Sequence, residues 1–142
     1  MSAESSRGRE AFLERVAEAV RDGGAAAVAV FAVEDHEGIR ARHGGAVLDS
    51  LMTRLSGALA DGLRPGEASG FLSPDALGVL LRGDPEESRK DFTGLAARLS
   101  ALTRQGLVSG FAHARQHGGG AEALCEAARA AAAPVAGARE GA

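Results

Sequence analysis

"EASGFLSPDALGVLLR", residues 67–82, stands near the middle of the chain as two short apolar runs joined by Ser73-Pro74-Asp75-Ala76. Serine suits the first position of a type I turn and proline the second, so the stretch predicts an antiparallel hairpin with a stiff tip. The tip contains a single acid and no glycine. What such a hairpin builds depends on the elements on either side of it.

Upstream, "GREAFLERVAEAVRDGG" puts Phe12, Leu13, Val16 and Val20 on one helical stripe, which Gly23 and Gly24 end. "AAAVAVFAV" (25–33) is an unbroken apolar run of strand length, the pattern of a strand covered on both faces. "EGIRARH" predicts a short polar helix broken by Gly44 and Gly45. Val47, Leu48, Leu51, Met52, Leu55 and Leu59 then mark a longer amphipathic helix that closes at Asp61-Gly62. Downstream, "GDPEES" places Pro85 in the first turn of a helix whose apolar stripe is Phe92, Leu95, Leu99 and Leu102. "GLVSGFAHA" (106–114) predicts a strand, "RQHGGG" a loop, and an alanine-rich helix runs from about Ala121 to Ala133. The order is α+β with a ferredoxin-like βαββαβ core: a mixed, mostly antiparallel sheet with helices packed on it. Residues 8–133 are expected to form a single domain, between a flexible N-terminus (1–7) and a flexible tail (134–142) that opens with Pro134.

A chain of 142 residues suits one domain that buries roughly 70% of its unfolded surface. Its 45% hydrophobic and 25% charged residues are those of an ordinary globular protein. The net charge of -3, without a long like-charge run, argues against nucleic acid and against a polybasic membrane patch. No apolar run is long enough to span a bilayer, and the polar start "MSAESSRGRE" lacks the pattern of a signal peptide, so a cytoplasmic location is expected. Cys125 is the sole cysteine, which excludes disulfides and cysteine zinc sites and marks it as a small core residue. Lys90 is the sole lysine among 16 Lys and Arg residues and alanine is abundant, which points to a GC-rich bacterial genome.

Taken segment by segment, the chain resembles the GGDEF domain of bacterial diguanylate cyclases over roughly residues 8–133. "REAFLERVAEAV" resembles the helix that leads into that domain. "VAVFAVEDHEGIRARHGGAVLDSLMTRLSGAL" is similar to its strand, Asp-x-Asp-x-Phe-Lys-x-Ile-Asn-Asp, Gly-His-x-x-Gly-Asp and following helix. "GFLSPDALGVLL" falls where the family has Arg-x-Gly-Gly-Asp-Glu-Phe and an apolar strand, "LVSGFAHA" resembles Val-Ser-Ile-Gly-Val-Ala, and "AEALCEAARAA" the closing helix. The resemblance implies condensation of two GTP molecules into cyclic di-GMP across facing protomers, with carboxylates holding divalent ions.

Carried over residue by residue, the machinery is incomplete. The first metal acid falls on Glu34, but the second falls on Ala76; the signature glycines become Ser73 and Pro74, and proline has a fixed φ and no N–H for a phosphate. The guanine-binding Asn becomes Arg40, the Lys before it Glu37, and the Asp of the last helix Ala128, while Asp49 and Asp75 remain acids. A second family motif, Arg-x-x-Asp five residues before the signature, binds cyclic di-GMP and inhibits; Arg64-Pro65-Gly66-Glu67 stands at that spacing, with Phe71 in place of a frequent arginine. Arginine can fork onto phosphate and a carboxylate can accept from guanine, while Pro-Gly also reads as a plain surface turn.

Other motifs are weaker. "EDHE" (34–37) reads as a magnesium or, with His36, transition-metal site, or as a solvated loop with a helix cap from Asp35. His113 and His117 straddle a strand end and a loop, which disfavours a metal pair. "GGGAEA" (118–123) lacks the second parallel strand of a dinucleotide unit, and Lys90 lacks the lead of a P-loop. The expected function is a catalytically inactive, cofactor-free regulatory or interaction module. Its candidate partners are a protein, a second copy of itself or cyclic di-GMP through Arg64 and Glu67. The alternatives are a divergent nucleotidyl cyclase and a ligand-free dimerisation module.

Overall fold

The computed structural model describes residues 2–23, 25–103, 106–117 and 120–135. Gly24 of the expected helix stop, Gly118 and Gly119 of the glycine-rich loop, and residues 136–142 of the expected tail lie outside the described residues. The elements follow the order α1 (Ser2–Arg21), β1 (Ala26–Val33), α2 (His36–His43), α3 (Gly45–Asp61), β2 (Ala68–Ser73), β3 (Ala76–Arg82), α4 (Pro85–Ser100), β4 (Leu107–His113), α5 (Gly120–Ala130) and β5 (Ala133–Pro134). They make an α+β fold with one sheet of order β2-β3-β1-β4-β5, in which every neighbouring pair is antiparallel.

β1 is the middle of this sheet, and its alternation sorts the core into two layers. Ala27, Ala29, Phe31 and Val33 face the helices α2, α3 and α4, with Leu48, Met52, Leu55 and Leu99 packed against them. Ala26, Val28 and Val30 face α1 and α5, where they meet Phe12, Val16, Leu124 and Ala128. A strand of period two buried on both faces needs the continuous apolar run seen in its sequence. At its centre Val30 pairs with Gly78 on one side and Gly110 on the other. A Cβ at Gly78 would lie 2.8 Å from the Phe12 ring, and one at Gly110 would collide with the Ala128 carbonyl oxygen. These two glycines are the seats for α1 and for the last turn of α5.

Local signals set most boundaries. Asp35 caps α2 by accepting the Gly38 N–H, and Asp84 and Glu87 form a capping box at α4 with Pro85 at its start. In the hairpin Ser73 pairs with Ala76 and Phe71 with Leu77, leaving Leu72 as an extra residue. No non-glycine residue among those described has positive φ, so the tip is not a primed turn, and the irregularity at Leu72 absorbs the strand splay of an unprimed one.

Four expectations are revised. The helix α1 begins at Ser2, because no glycine or proline interrupts residues 2–7. Leu102 lies beyond the end of α4 and is 42% exposed instead of completing its stripe. α5 stops at Ala130 and does not run to Ala133, which pairs with Ser109 in β5. Pro134 is not frayed: it pairs with Val108 in β5, a proline tolerated on an edge strand, and the Val135 N–H donates to the Leu107 carbonyl at 2.8 Å.

His113 is fully buried, and both of its ring nitrogens are used. Its Nε2 donates to the Gly83 carbonyl at 2.8 Å, and its Nδ1 accepts the Arg115 N–H at 3.1 Å, tying the end of β4 to the β3–α4 turn. This accounts for the histidine without a metal.

Two glycine substitutions should move stability in opposite directions. Gly110→Ala is expected to destabilise by about 3 kcal/mol, the upper range for forced overpacking, because Ala128 and Ala132 backbone atoms occupy the space. Gly94→Ala, in the interior of α4 with no atom near its Cβ, is expected to stabilise by roughly 0.5–1 kcal/mol. Urea unfolding midpoints at constant slope check both.

Candidate functional site

The hairpin tip and the start of α2 come together at the end of β1. Asp75 Oδ1 accepts the Ser73 hydroxyl at 2.9 Å, and Asp75 Oδ2 lies 3.1 Å from His36 Nδ1. The Asp75 side chain is only 20% exposed; one of its oxygens closes the tip on itself and the other fixes the tip to α2. The sequence offers His36 either to a transition metal or to a solvated loop; its partner Asp75 is 39 positions away in the chain, and no local pattern announces it. Asp35, beside it, is used as the α2 cap and pairs with Arg42 at 3.5 Å.

Ala76 is fully buried within the core layer facing α1 and α5. It has no oxygen to give a cation, and among the described residues no group of three His, Cys, Asp or Glu side chains is placed to hold a metal. Glu34 keeps a carboxylate at the exposed end of β1, and Arg40 is exposed on α2. The donor set around the tip therefore does not fit the divalent ions that the resemblance implies.

Asp49 and Pro74 meet elsewhere, at a cavity of about 570 Å³ against the edge strand β2. Its apolar walls are Phe12 from α1, Met52 from α3 and Phe71 from β2, with Arg15, Asp49 and Thr53 as polar groups. The small residues Gly8 and Ala11 of α1 and Ala68 and Gly70 of β2 leave the space open. Arg15 and Phe12 were not foreseen as lining residues, because the packing of α1 on β2 is a long-range contact.

Arg64 and Glu67 are brought together, with the acid turned toward the protein and the arginine half exposed. The Glu67 side chain is 2% exposed; Oε1 accepts the Arg64 N–H at 2.8 Å and Oε2 accepts the Arg82 N–H at 3.4 Å. Arg64 ion-pairs with Asp91 on α4 and donates to the Arg82 carbonyl at 3.3 Å. The motif clips the turn before β2 to β3 and α4. A cleft of about 280 Å³ beside it carries Arg64, Lys90 and Arg98 together with Asp91 and Glu67.

No protein-family profile matches the sequence, and no curated protein matches it. Solved structures do match. The GGDEF domain of DgcB from Caulobacter crescentus, in complex with c-di-GMP, superposes with a TM-score of 0.74 at 15% identity, covering 86% of this chain and 80% of that one. The chain has the GGDEF-domain fold. The GGDEF domain of YfiN (TpbB) from Pseudomonas aeruginosa gives a TM-score of 0.73 at 23% identity over 86% of this chain and 84% of that one. A sensory box/GGDEF family protein from Caulobacter crescentus gives 0.73 at 20% identity over 94% and 93%. The segment order that resembled GGDEF domains thus corresponds to their three-dimensional arrangement. No helix among the described residues is long and apolar enough to cross a membrane.

Cys125 is on the buried face of α5, and its thiol is pushed up to about 11 by desolvation, with Arg9 opposing and Glu122 and Glu126 adding to the rise. Since the thiolate is the reactive form, iodoacetamide at neutral pH should label the folded chain far more slowly than the chain in denaturant. Equal labelling rates under the two conditions, read by mass spectrometry, would contradict this placement.

Substitution should separate the two carboxylates. Glu67→Ala leaves two backbone N–H groups without their acceptor and is expected to cost about 2 kcal/mol, whereas Asp75→Ala removes a partly exposed pair worth about 1 kcal/mol or less. Chemical denaturation of both variants checks the order.

Proposed function

We propose that the chain is a catalytically inactive GGDEF-fold module of the bacterial cytoplasm that works through regulatory contact with another protein. The observation that carries this reading is the tip itself. Ala76 lies closed in the core where the resemblance implies a metal acid, Pro74 offers no N–H to a phosphate, and both Asp75 oxygens are engaged internally. Phosphoryl transfer depends on positioned cations and donors, and a scaffold lacking half of them loses most of its rate enhancement. Incubation with GTP and Mg²⁺ followed by anion-exchange chromatography should leave the GTP unconverted. Robust formation of cyclic di-GMP would restore the alternative of a divergent cyclase.

A second reading, cyclic di-GMP sensing, is favoured by one observation: the cleft beside Arg64 collects three cationic side chains. Against it stand the burial of Glu67 and the engagement of Arg64 by Asp91. Calorimetric titration with cyclic di-GMP distinguishes the two. The protein-contact reading expects no saturable heat at high micromolar nucleotide. A saturable isotherm that is abolished in Arg64→Ala would assign the module to nucleotide sensing instead.

A further inference from the structure

A groove of about 700 Å³ lies on the side of the sheet away from the hairpin tip, between α4, β4 and the segment that ends in β5. Its floor continues an aromatic ladder: the rings of Phe31 and Phe92 are 5.7 Å apart, and those of Phe92 and Phe111 are 5.4 Å apart. Ala96 and Ala97 on α4, with Pro134 and Val135 opposite, make the remaining walls apolar and shallow enough to leave the space open. The hydroxyls on the α4 side are committed to their own helix, Thr93 donating to the Arg89 carbonyl and Ser100 to the Ala97 carbonyl.

Among the described residues, one charged side chain lines this groove. The guanidinium of Arg89 lies over the Phe111 ring at 4.7 Å from its centre, within the range of a cation–π contact. Among the described residues, no carboxylate is in ion-pair distance of it, whereas Arg42 and Arg64 each hold an acid. An arginine held by an aromatic face keeps its charge and its donors, and its fork matches a carboxylate. An apolar trough with a single donor-rich cation at its rim complements a molecule with one anionic end and a hydrocarbon body. We infer that this groove binds an amphipathic monocarboxylate, an acyl or aryl carboxylic acid whose carboxylate meets Arg89 and whose apolar body lies along Phe92, Ala96 and Ala97. The inference is independent of the hairpin tip and of the Arg64 cleft, both on other parts of the surface.

The probe is decanoate, titrated below its micellar concentration by calorimetry, with decanol as the neutral analogue. The wild-type chain should bind decanoate saturably, and Arg89→Gln should weaken it roughly tenfold or more, the scale of one charge-assisted pair. Decanol should bind the wild type and Arg89→Gln alike, and more weakly than decanoate binds the wild type. Ala97→Phe, at an exposed α4 position that lines the groove, should fill the trough and abolish both. Circular dichroism and an unchanged unfolding midpoint establish that each variant is folded. Absence of saturable decanoate binding, equal affinity of Arg89→Gln and wild type, or undiminished binding to folded Ala97→Phe would each overturn the inference.

Discussion

The row Gly78–Val30–Gly110 across three strands governs how the helices sit. Each glycine pairs with the same valine of β1, and each removes the side chain that would otherwise hold a helix away from the sheet. Phe12 takes the space above Gly78, and the last turn of α5 descends onto Gly110. The strand between them is buried on both faces, which admits no ionised side chain along its length. The acids are therefore displaced to its end, where Glu34 and Asp35 follow Val33 beside the hairpin tip. The packing of the core thus decides where on this fold polar chemistry can occur.

At that place the chain has satisfied its polar groups internally. Serine, aspartate and histidine close a short chain of contacts from the tip to α2, and Asp35 spends its oxygens on a cap and an arginine. Groups that complete one another's hydrogen bonds have less to offer a ligand than groups held apart for it. A site preorganised for phosphate keeps donors directed into empty space, which costs stability elsewhere; this tip is organised for the stability of the hairpin. The inactive-module reading rests on that difference in use, more than on the loss of a familiar signature.

The fold was legible because its elements are periodic and punctuated. The two-faced strand, the amphipathic stripe from Leu48 to Leu59, the Asp84-Pro85 start of α4 and the Ser-Pro tip each state their structure within a few residues. β5 was not legible, since two residues have no periodicity and Pro134 reads locally as a breaker; only its pairing to Val108 makes it a strand. The polar contacts of the candidate site fall in the same class. His36 reaches Asp75 and Arg64 reaches Asp91 over tens of residues, and neither distance leaves a trace in local sequence. The cavity against β2 is legible only in part: Asp49 was singled out, but the gap itself arises from small residues on two elements that meet only after folding.

The Arg64-Pro65-Gly66-Glu67 stretch shows why spacing alone is ambiguous. A four-residue turn brings its first and last residues together, so an arginine and an acid at its ends will meet whether the pair serves a ligand or the chain. What distinguishes the cases is where the acid points. Here Glu67 turns inward and accepts from the backbone of its own turn and of β3, so its carboxylate is already paid for by the fold. A phosphate arriving at Arg64 would have to displace Asp91 and gain more from that guanidinium than the ion pair it breaks, with a buried Glu67 adding negative charge nearby. The compensating cations, Lys90 and Arg98, stand on α4 with Asp91 in the same cleft. The Coulombic balance of three cations against two carboxylates at short range, and not the motif, determines what the cleft holds.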